Sequence, residues 1–255
     1  FCMSEVSNLK IGILGYGEIG QAIDTIIDDL YNKQNQIIVN DPHKGYFDDV
    51  SGCDIVHVCV PNDHIFCCLR NKVPIYLIHS AVKPGTCRKL YKCGFKVMHA
   101  PVNGRHPELA NYIKKFRMPL GYLADSSFNG VLTTVTDYLT SIGIKWTLFG
   151  DWENTELAKI TCTLQLGYDI LFMREVYRLC KEFNADPDIV YRRWREIYNE
   201  GYSDQHDKMF QRPILTPKNG PIGGHCVLPN ARIIQEDSWI AKKVFEEGSK
   251  DWENG

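Results

Sequence analysis

A glycine-rich turn between an apolar run and an amphipathic segment constrains the fold of this chain more than any other feature. The run LKIGIL at residues 9–14 is typical of a buried strand. The turn GYGEIG follows at residues 15–20, and apolar residues then recur at helical spacing from Ile19 to Leu30. A strand, a tight turn and a helix in this order predict the first βα unit of an α/β fold.

Six further runs in the first part of the chain are strand-like. They are QIIVND, DIVHVCVPN, PIYLIHS, FKVMHAP, FRMPLGYLA and IKWTLFG. Helix-like segments separate several of them, and strands that alternate with helices are typical of a parallel sheet covered on both faces. We therefore expect a Rossmann-type, doubly wound parallel sheet over residues 1–150.

Beyond the last predicted strand, the strand-like runs give way to helical periodicity. The spacing predicts a long helix over about 153–183 and a second helix that begins near Asp186. A polar segment rich in Gly and Pro predicts a loop over about 199–228, and a last helix is expected over about 230–247. Residues 151–255 are thus expected to form a smaller, all-helical second domain.

The turn itself matches the pattern G-x-G-x-x-G. The first glycine allows the tight turn, the second lets a pyrophosphate approach the backbone, and the third allows close packing of helix on strand. The N–H groups at the helix N-terminus then face the phosphates. This pattern, placed between a strand and a helix, predicts a dinucleotide site made by Gly15, Tyr16, Gly17, Glu18, Ile19 and Gly20.

Asp41 ends the second predicted strand, about twenty residues beyond the turn. A carboxylate at this place binds the ribose 2′-hydroxyl of NAD and repels the 2′-phosphate of NADP. The nearby basic residues His43 and Lys44 keep NADP as the alternative. The sequence favours NAD as the cofactor.

Composition restricts the compartment and the partners. The formal net charge is -2, which gives no overall attraction to nucleic acid or to a membrane surface. No apolar run is long enough to span a bilayer, and the first ten residues lack the apolar stretch of a secretion signal. The 10 cysteines form no paired CxxC sets, so we expect no structural zinc site and no metal. These features predict a reduced, cytoplasmic protein with a small-molecule substrate and without nucleic-acid or membrane partners.

Four motifs in order resemble those of the nucleotide-sugar dehydrogenases, the group that oxidises UDP-glucose and UDP-N-acetylmannosamine. They are DIVHVCVPND, HSAVKPGT, ELAKI and GGHC, and together with the glycine turn they span most of the chain. The resemblance implies that Val60, Pro61 and Ser80 lie at the cofactor. It also implies that Lys159 stabilises negative charge on the substrate oxygen and that Cys226 is a thiolate nucleophile.

The resemblance implies an NAD-dependent oxidation of an alcohol carbon in a sugar or a nucleotide-sugar-like substrate. Cys226 would add to the aldehyde to form a thiohemiacetal, and a second oxidation would give a thioester that water cleaves. Thr163, His225 and Asn230 match positions near the substrate. Thr163 stands where the family has an asparagine and Asn230 where it has an aspartate, so a carboxylate base for the water is missing.

Two further departures affect the expected substrate. Val102 stands where the family has a glutamate. In the family a third domain, which binds the nucleotide sugar, follows the cysteine, and residues 227–255 are too few for such a domain. We therefore expect a different substrate, a domain supplied by another chain, or an incomplete sequence.

The stretch APVNG at residues 100–104 is similar to the A-P-V-S-G loop of β-hydroxyacid dehydrogenases such as 3-hydroxyisobutyrate dehydrogenase. That family pairs a dinucleotide domain with a helical domain of the kind that ends 6-phosphogluconate dehydrogenases, and it needs one oxidation and no cysteine. The resemblance places Asn103 and Arg105 at the substrate, where Arg105 would pair with a carboxylate or a phosphate.

Three functions stay open on the sequence. They are the two-step oxidation with Cys226 and Lys159, a one-step β-hydroxyacid-type oxidation with Lys159, and an inactive NAD-binding module. Tyr168, Phe172, Val176 and Leu179 form a helical stripe that belongs to the core or to a dimer seam. Because related enzymes pack this helix against a second subunit, we expect a homodimer.

Overall fold

The computed structural model describes residues 9–31, 37–69, 73–204 and 207–253. The chain divides into two compact units, Phe1–Lys159 and Ile160–Gly255. Within the described ranges, no helix has the length and apolar character needed to cross a membrane.

The first unit is built on an eight-stranded sheet, counted over the described residues. Its strands are β1 (Ile11–Leu14), β2 (Ile38–Asp41), β3 (Tyr46–Phe47), β4 (Ile55–Val58), β5 (Ile75–Ile78), β6 (Val97–His99), β7 (Met118–Gly121) and β8 (Trp146–Gly150). They lie in the order β3-β2-β1-β4-β5-β6-β7-β8. Because β2 and β4 flank β1 on opposite sides, the strand order reverses at β1, where doubly wound sheets bind their ligands.

Five neighbouring strands of the sheet are parallel to one another, namely β2, β1, β4, β5 and β6. This confirms the predicted α/β, Rossmann-type fold. Two pairings are antiparallel, β2 with β3 and β6 with β7, so the sheet is mostly and not wholly parallel. The sequence did not predict β3, because two exposed residues are too short to show a strand period.

Helices cover the sheet in the manner expected of a βαβ fold. They are α1 (Glu18–Tyr31), α2 (Ile65–Cys68), α3 (Thr86–Lys92), α4 (Leu109–Lys115) and α5 (Asn129–Ser141). Strands β1, β4 and β5 are buried along their whole length, as strands covered on both faces must be. The Leu30 side chain, which completes the predicted apolar face of α1, lies outside the described part of the chain.

The long helix α6 (Trp152–Glu182) agrees with the predicted range. The division between the units falls within α6 and not ahead of it at residue 150, because its first turns are bonded to the first unit. The Trp152 indole Nε1 donates to the Val97 carbonyl at 3.0 Å, and Glu156 accepts two backbone N–H groups of that unit.

The second unit is all-helical, as expected. After α6 it contains a π-helical segment (Asp188–Arg193), α7 (Trp194–Asp204), α8 (Val227–Ile233) and α9 (Trp239–Gly248). The predicted loop over 199–228 is therefore helical up to Asp204, and residues 205–206 lie outside the described part.

The single helix predicted over 230–247 is wrong, since two helices occupy this region. A turn over residues 234–237 separates them, and the Ser238 hydroxyl then accepts the Ala241 N–H at the start of α9. A serine in this position is a typical helix N-cap, so it begins a new helix and does not continue the old one.

A small apolar core holds the second unit together. It includes Ile160, Leu164, Ile222, Val227, Ala231, Ile234, Ala241 and Val244. A Cβ at Gly167 would lie 2.7 Å from Val244 Cγ1 and 2.8 Å from Val227 Cγ1. The absence of a side chain at Gly167 thus lets α6 pack closely against α8 and α9.

Candidate active site

The three glycines of the turn meet three different demands. Gly15 has a φ of 87°, and a Cβ there would lie 2.9 Å from Val60 Cγ1. A Cβ at Gly20 would lie 2.2 Å from the Gly15 carbonyl oxygen, so only glycine lets α1 start this close to β1. Gly17 has open space around its Cα, which leaves room for a ligand above the start of α1.

A cleft of about 700 Å³ opens beside this turn, at the carboxyl ends of β1, β2 and β4. Five of the predicted cofactor residues line it, namely Gly15, Gly17, Asp41, Val60 and Pro61. Such a cleft at the point where the strand order reverses is where doubly wound folds bind dinucleotides. The size, the open backbone and the position all fit a dinucleotide.

Asp41 is held against the turn. Its Oδ2 accepts the Tyr16 N–H at 2.7 Å, which fixes the carboxylate at the mouth of the cleft. The Tyr16 hydroxyl donates to Asp24, and burial together with this hydrogen bond raises the pKa of Tyr16. The basic residues His43 and Lys44 line the same cleft as Asp41.

Ser80 is placed differently from the residues that line the cleft. Its hydroxyl donates to the Val60 carbonyl at 2.5 Å and so ties the segment after β5 to the segment after β4. A second bond reinforces the connection, since the Lys83 N–H donates to Asn62 Oδ1 at 3.2 Å. A direct contact of Ser80 with a cofactor stays a prediction.

The loop after β6 lies between Lys159 and the start of α1. The Lys159 ammonium donates to the Val102 carbonyl at 2.8 Å and lies 3.4 Å from Asn103 Oδ1. At the other end of the loop, His106 Nδ1 lies 4.0 Å from Glu18 Oε1. The predicted lysine, the predicted substrate loop and the glycine turn are therefore neighbours within one unit.

Arg105 sits in the same loop and is exposed. Its guanidinium carbon lies 6.0 Å from the centre of the Tyr112 ring. Gly104 before it has a φ of 147°, and a Cβ there would lie 2.5 Å from Tyr112 Cβ. The loop backbone is thus pressed against α4, and the arginine side chain extends over an aromatic ring at the surface.

Glu156 was not singled out by the sequence, although it belongs to the ELAKI motif. Its buried carboxylate accepts the Gly85 N–H at 2.6 Å and the Cys87 N–H at 2.8 Å. Burial raises the pKa of this carboxyl, and the two N–H groups oppose that shift. Glu156 therefore caps α3 from a remote helix, which connects the HSAVKPGT and ELAKI motifs physically.

Three buried histidines are the other feature that the sequence reasoning missed; His57 and His99 lie in β4 and β6, and His79 directly follows β5, the strand between them. His79 Nδ1 lies 2.7 Å from the Ala100 carbonyl, His79 Nε2 lies 2.7 Å from His57 Nδ1, and His57 Nε2 lies 2.8 Å from the Tyr138 hydroxyl. Since a carbonyl only accepts, the protons must run from Tyr138 through His57 and His79 to Ala100, with both rings neutral. Burial lowers the pKa of His57 and lowers that of His79 to about 4.

His99 at the end of β6 is equally buried. Its Nε2 donates to the Ser80 carbonyl at 3.1 Å, and its Nδ1 lies 2.7 Å from the Thr155 hydroxyl. Gly121 makes room for this pair, because a Cβ there would lie 2.2 Å from Thr155 Oγ1. Burial lowers the pKa of His99 to about 3, so this histidine is neutral at neutral pH. The sequence did contain a signal for these three buried histidines, since each of the strand-like runs DIVHVCVPN, PIYLIHS and FKVMHAP carries one histidine.

In the second unit, Cys226 is exposed and directly precedes α8. It follows Gly223, Gly224 and His225, which are exposed as well, and Gly224 has a φ of 88°. The glycines thus display the thiol on a loop, as the sequence suggested. A meeting of Cys226 with Lys159 at one substrate stays a prediction.

The two positions that depart from the nucleotide-sugar dehydrogenase pattern are bonded to each other. Asn230 Nδ2 donates to Thr163 Oγ1 at 2.9 Å, and the Thr163 hydroxyl donates to the Ile160 carbonyl at 2.8 Å. Asn230 is only 6% exposed, so its amide is committed to a buried hydrogen bond between α8 and α6. The pair supplies no carboxylate for the activation of water.

Comparisons with known proteins give structural matches only. No protein-family model and no curated protein sequence matches the chain. The structure is similar to a 3-hydroxyisobutyrate dehydrogenase from Mycobacterium tuberculosis solved with L-serine, with a TM-score of 0.64 and 12% identity over 93% of this chain and 91% of that chain.

Two nucleotide-sugar dehydrogenases are similar in the same way. A UDP-D-ManNAc dehydrogenase from Pyrococcus horikoshii has a TM-score of 0.68 and 14% identity, over 94% of this chain and 68% of that chain. A UDP-glucose dehydrogenase from Pyrobaculum islandicum has a TM-score of 0.64 and 15% identity, with the same coverage. At these identities the likeness establishes the fold, and the resemblance to both groups of dehydrogenases is confirmed at that level.

Proposed function

We propose that the protein is an NAD-dependent dehydrogenase that oxidises an alcohol carbon of a small, anionic substrate. The observation that carries the proposal is the continuous path of contacts in the first unit. Lys159 binds one end of the loop after β6, and the other end lies beside Glu18 at the dinucleotide turn. A reacting carbon placed over this loop would be near both the ammonium and a dinucleotide in the cleft.

The residues present fit the cofactor. Gly17 leaves space for the pyrophosphate, the start of α1 offers N–H groups to it, and Asp41 would accept the ribose hydroxyls. NAD, when bound, accepts a hydride from the substrate carbon. The chain itself binds and orients both reactants.

Lys159 has the chemical task that remains. As an ammonium it would donate a hydrogen bond to the substrate hydroxyl oxygen and stabilise the charge that develops on it, or as a neutral amine it would accept the hydroxyl proton. Asn103 and Arg105 lie on the same loop and would bind the polar and anionic parts of the substrate. A planar guanidinium pairs with a carboxylate or a phosphate through two parallel bonds.

The experiment is a turnover assay with NAD over a panel of 3-hydroxy acids and UDP-sugars, followed as NADH formation. Lys159→Met is expected to lower turnover by about 10²–10⁴-fold, because a positioned proton-transfer group contributes that much. NAD affinity should stay unchanged. Lys181→Met, which alters an exposed lysine of the same helix, is the matched control. Full turnover in the Lys159 variant would refute the assignment of its role.

We propose as a second candidate that Cys226 extends the reaction to a two-step oxidation. The observation that favours it is the exposure of the thiol on a glycine-rich loop. The sulfur would add to the aldehyde carbon and the oxygen would take up a proton, giving a thiohemiacetal that is ready for a second oxidation. The Asn230–Thr163 bond argues for the one-step reaction instead, since these two residues offer no carboxylate to assist cleavage of a thioester.

The ratio of NADH formed to substrate consumed separates the two reactions. Two NADH per substrate indicate the two-step oxidation with Cys226. In that case Cys226→Ala should release the aldehyde after the first oxidation, with one NADH formed. One NADH in both proteins rules this route out. Cys162→Ala is the control, because Cys162 is an exposed thiol of the same unit. Measurable NAD binding without turnover on any alcohol would leave the third function, an inactive NAD-binding module.

We also propose that the protein forms a homodimer through α6. Tyr168, Phe172 and Leu179 of the predicted stripe are exposed and do not join the core of the second unit. Exposed apolar residues at helical spacing are typical of a covered interface. Phe172→Glu should convert a dimer to a monomer in light scattering, whereas a wild-type protein of monomer mass would contradict the proposal.

A further inference from the structure

The loop that displays Cys226 is fixed at its base by the last residues of the second unit. The Gly220 N–H donates to the Trp252 carbonyl at 2.7 Å, and the Ile222 N–H donates to the Gly248 carbonyl at 2.7 Å. Ile222 is 4% exposed, whereas every residue from Gly223 to Cys226 is exposed. The base of the loop is therefore bonded and buried, and its tip is displayed.

Close packing accompanies these backbone bonds. A Cβ at Gly248 would lie 2.8 Å from Ile222 Cδ1 and 2.9 Å from Leu228 Cδ2. The end of α9 thus contacts residues on both sides of Cys226 in the sequence. The position of the loop depends on where this segment lies.

Arg174 of α6 joins the same contacts. Its Nη2 donates to the Gly220 carbonyl at 2.8 Å, and its guanidinium carbon lies 5.2 Å from the centre of the Trp252 ring. Tyr177, one helical turn along α6, places its ring 6.0 Å from that of Trp252. We call the contacts among Arg174, Gly220 and Trp252 the Gly220 clamp.

Arg174 is an unusual choice for a purely structural contact. It is 7% exposed, its Nε has no hydrogen-bond partner, and no carboxylate among the described residues forms an ion pair with it. Burial lowers the pKa of this guanidinium. A buried charge without a counter-charge contributes little to stability, and an apolar side chain would fill the same volume at a lower desolvation cost. What the arginine adds is a directed bond to one loop carbonyl.

We propose that Arg174 and Trp252 are positioning residues that hold the Gly220–Cys226 loop in a single conformation and thereby set the place of the Cys226 sulfur. The consequence for catalysis rests on the proposed function of Cys226. The effect on the loop itself does not depend on that function.

The test compares Arg174→Met and Trp252→Ala with Arg178→Met. Arg178 is the matched control, because it lies one turn further along α6, is exposed, and within the described part of the chain pairs with Glu175 and Glu182 of its own helix. Hydrogen exchange should become about tenfold faster at the Gly220 and Ile222 amides in the first two variants. Arg174→Met loses the bond to the Gly220 carbonyl, and Trp252→Ala keeps the backbone bond to Gly220 but loses the ring contacts with Arg174 and Tyr177. Exchange in the Arg178 variant should match the wild type.

Conservative variants and circular dichroism spectra separate positioning from misfolding. Arg174→Lys retains a donor for the Gly220 carbonyl and Trp252→Phe retains a ring, so both should recover part of the protection. The far-ultraviolet circular dichroism of all variants should match the wild type. Unchanged exchange in both Arg174→Met and Trp252→Ala would overturn the proposal.

The catalytic consequence has its own readout. If Cys226→Ala abolishes the second oxidation, Arg174→Met should lower its kcat and leave the KM for NAD unchanged. Unaltered kcat in that setting would overturn the positioning role. If Cys226→Ala has no effect while exchange at Gly220 still rises in Arg174→Met, the function proposed for Cys226 fails and the clamp stands.

Discussion

At the scale of single residues, the buried histidines show how a polar side chain can stay inside a parallel sheet. His57, His79 and His99 are fully enclosed, and each ring nitrogen of the three has a partner. The network works only while the rings are neutral, because the hydroxyl partners donate to a ring nitrogen that must carry no proton. Their low pKa values follow from this enclosure.

This enclosure predicts that acid destabilises the protein. Below about pH 6.5 the histidines bind protons in the unfolded chain but stay neutral in the folded protein. Because the unfolded state binds more protons, a fall in pH favours unfolding. Stability should be full above this pH and decline toward about pH 4, the value to which burial lowers the pKa of His79. The slope is at most about 1.4 kcal/mol per pH unit for each histidine.

Urea unfolding between about pH 7 and about pH 5 measures the slope. His99→Gln should reduce the slope of stability against pH by the contribution of one histidine, because an amide can make the same two hydrogen bonds and does not titrate. His64→Gln, which alters an exposed histidine, should leave the slope unchanged. A stability that is constant over this range would contradict the neutral network.

At the scale of elements, the first turns of α6 hold two other parts of the first unit in place, the start of α3 and the loop after β6. Helix α3 begins at Thr86, the Gly85 before it has no side chain to cap the helix, and Glu156 supplies the missing acceptor. Lys159 lies one turn later on the same helix and bonds to the loop after β6. The cap and the candidate catalytic lysine are therefore fixed by one element.

Glu156→Gln is expected to lower the free energy of unfolding by about 1–3 kcal/mol, because an amide cannot accept both buried N–H groups as well as a carboxylate does. Glu153→Gln, on the same turn, is the control. Glu153 pairs with Arg88 at the surface, where an ion pair is worth about 0–1 kcal/mol. If urea unfolding shows the same loss of unfolding free energy in both variants, the cap by Glu156 contributes no more to stability than the surface ion pair does.

At the scale of the whole molecule, the two units have separate cores, and the described residues that line the cleft beside the glycine turn belong to the first unit. We therefore expect NAD to raise the unfolding temperature of the first unit. At a concentration of about 100 times its Kd, a ligand stabilises by about 2.7 kcal/mol, or roughly 5–10 °C for a unit of this size.

Calorimetry with either dinucleotide checks this expectation. NADP should give a smaller shift than NAD, because Asp41 repels the 2′-phosphate, and Asp41→Asn should narrow the difference. Equal shifts would contradict the preference for NAD. If neither dinucleotide raises the unfolding temperature, the predicted dinucleotide site is wrong.

Local patterns predicted the parts of the fold that are governed by short-range chemistry. The G-x-G-x-x-G turn, the buried strands and α6 were all visible, because φ preferences and hydrophobic periods act over a few residues. The two-residue strand β3 and the break at Ser238 between α8 and α9 were missed. Each involves too few residues to show a hydrophobic period of a strand or to interrupt that of a helix.

The sequence by itself determined the α/β class, the glycine turn at the mouth of the cleft and the identity of the candidate chemical groups, Lys159 and Cys226. Only the tertiary structure decided that Glu156 caps α3, that Thr163 bonds to Asn230 and that three histidines form buried networks. Each of these pairs joins residues far apart in the chain. Hydrogen bonds at such separations depend on how the elements pack, and no local period encodes that packing.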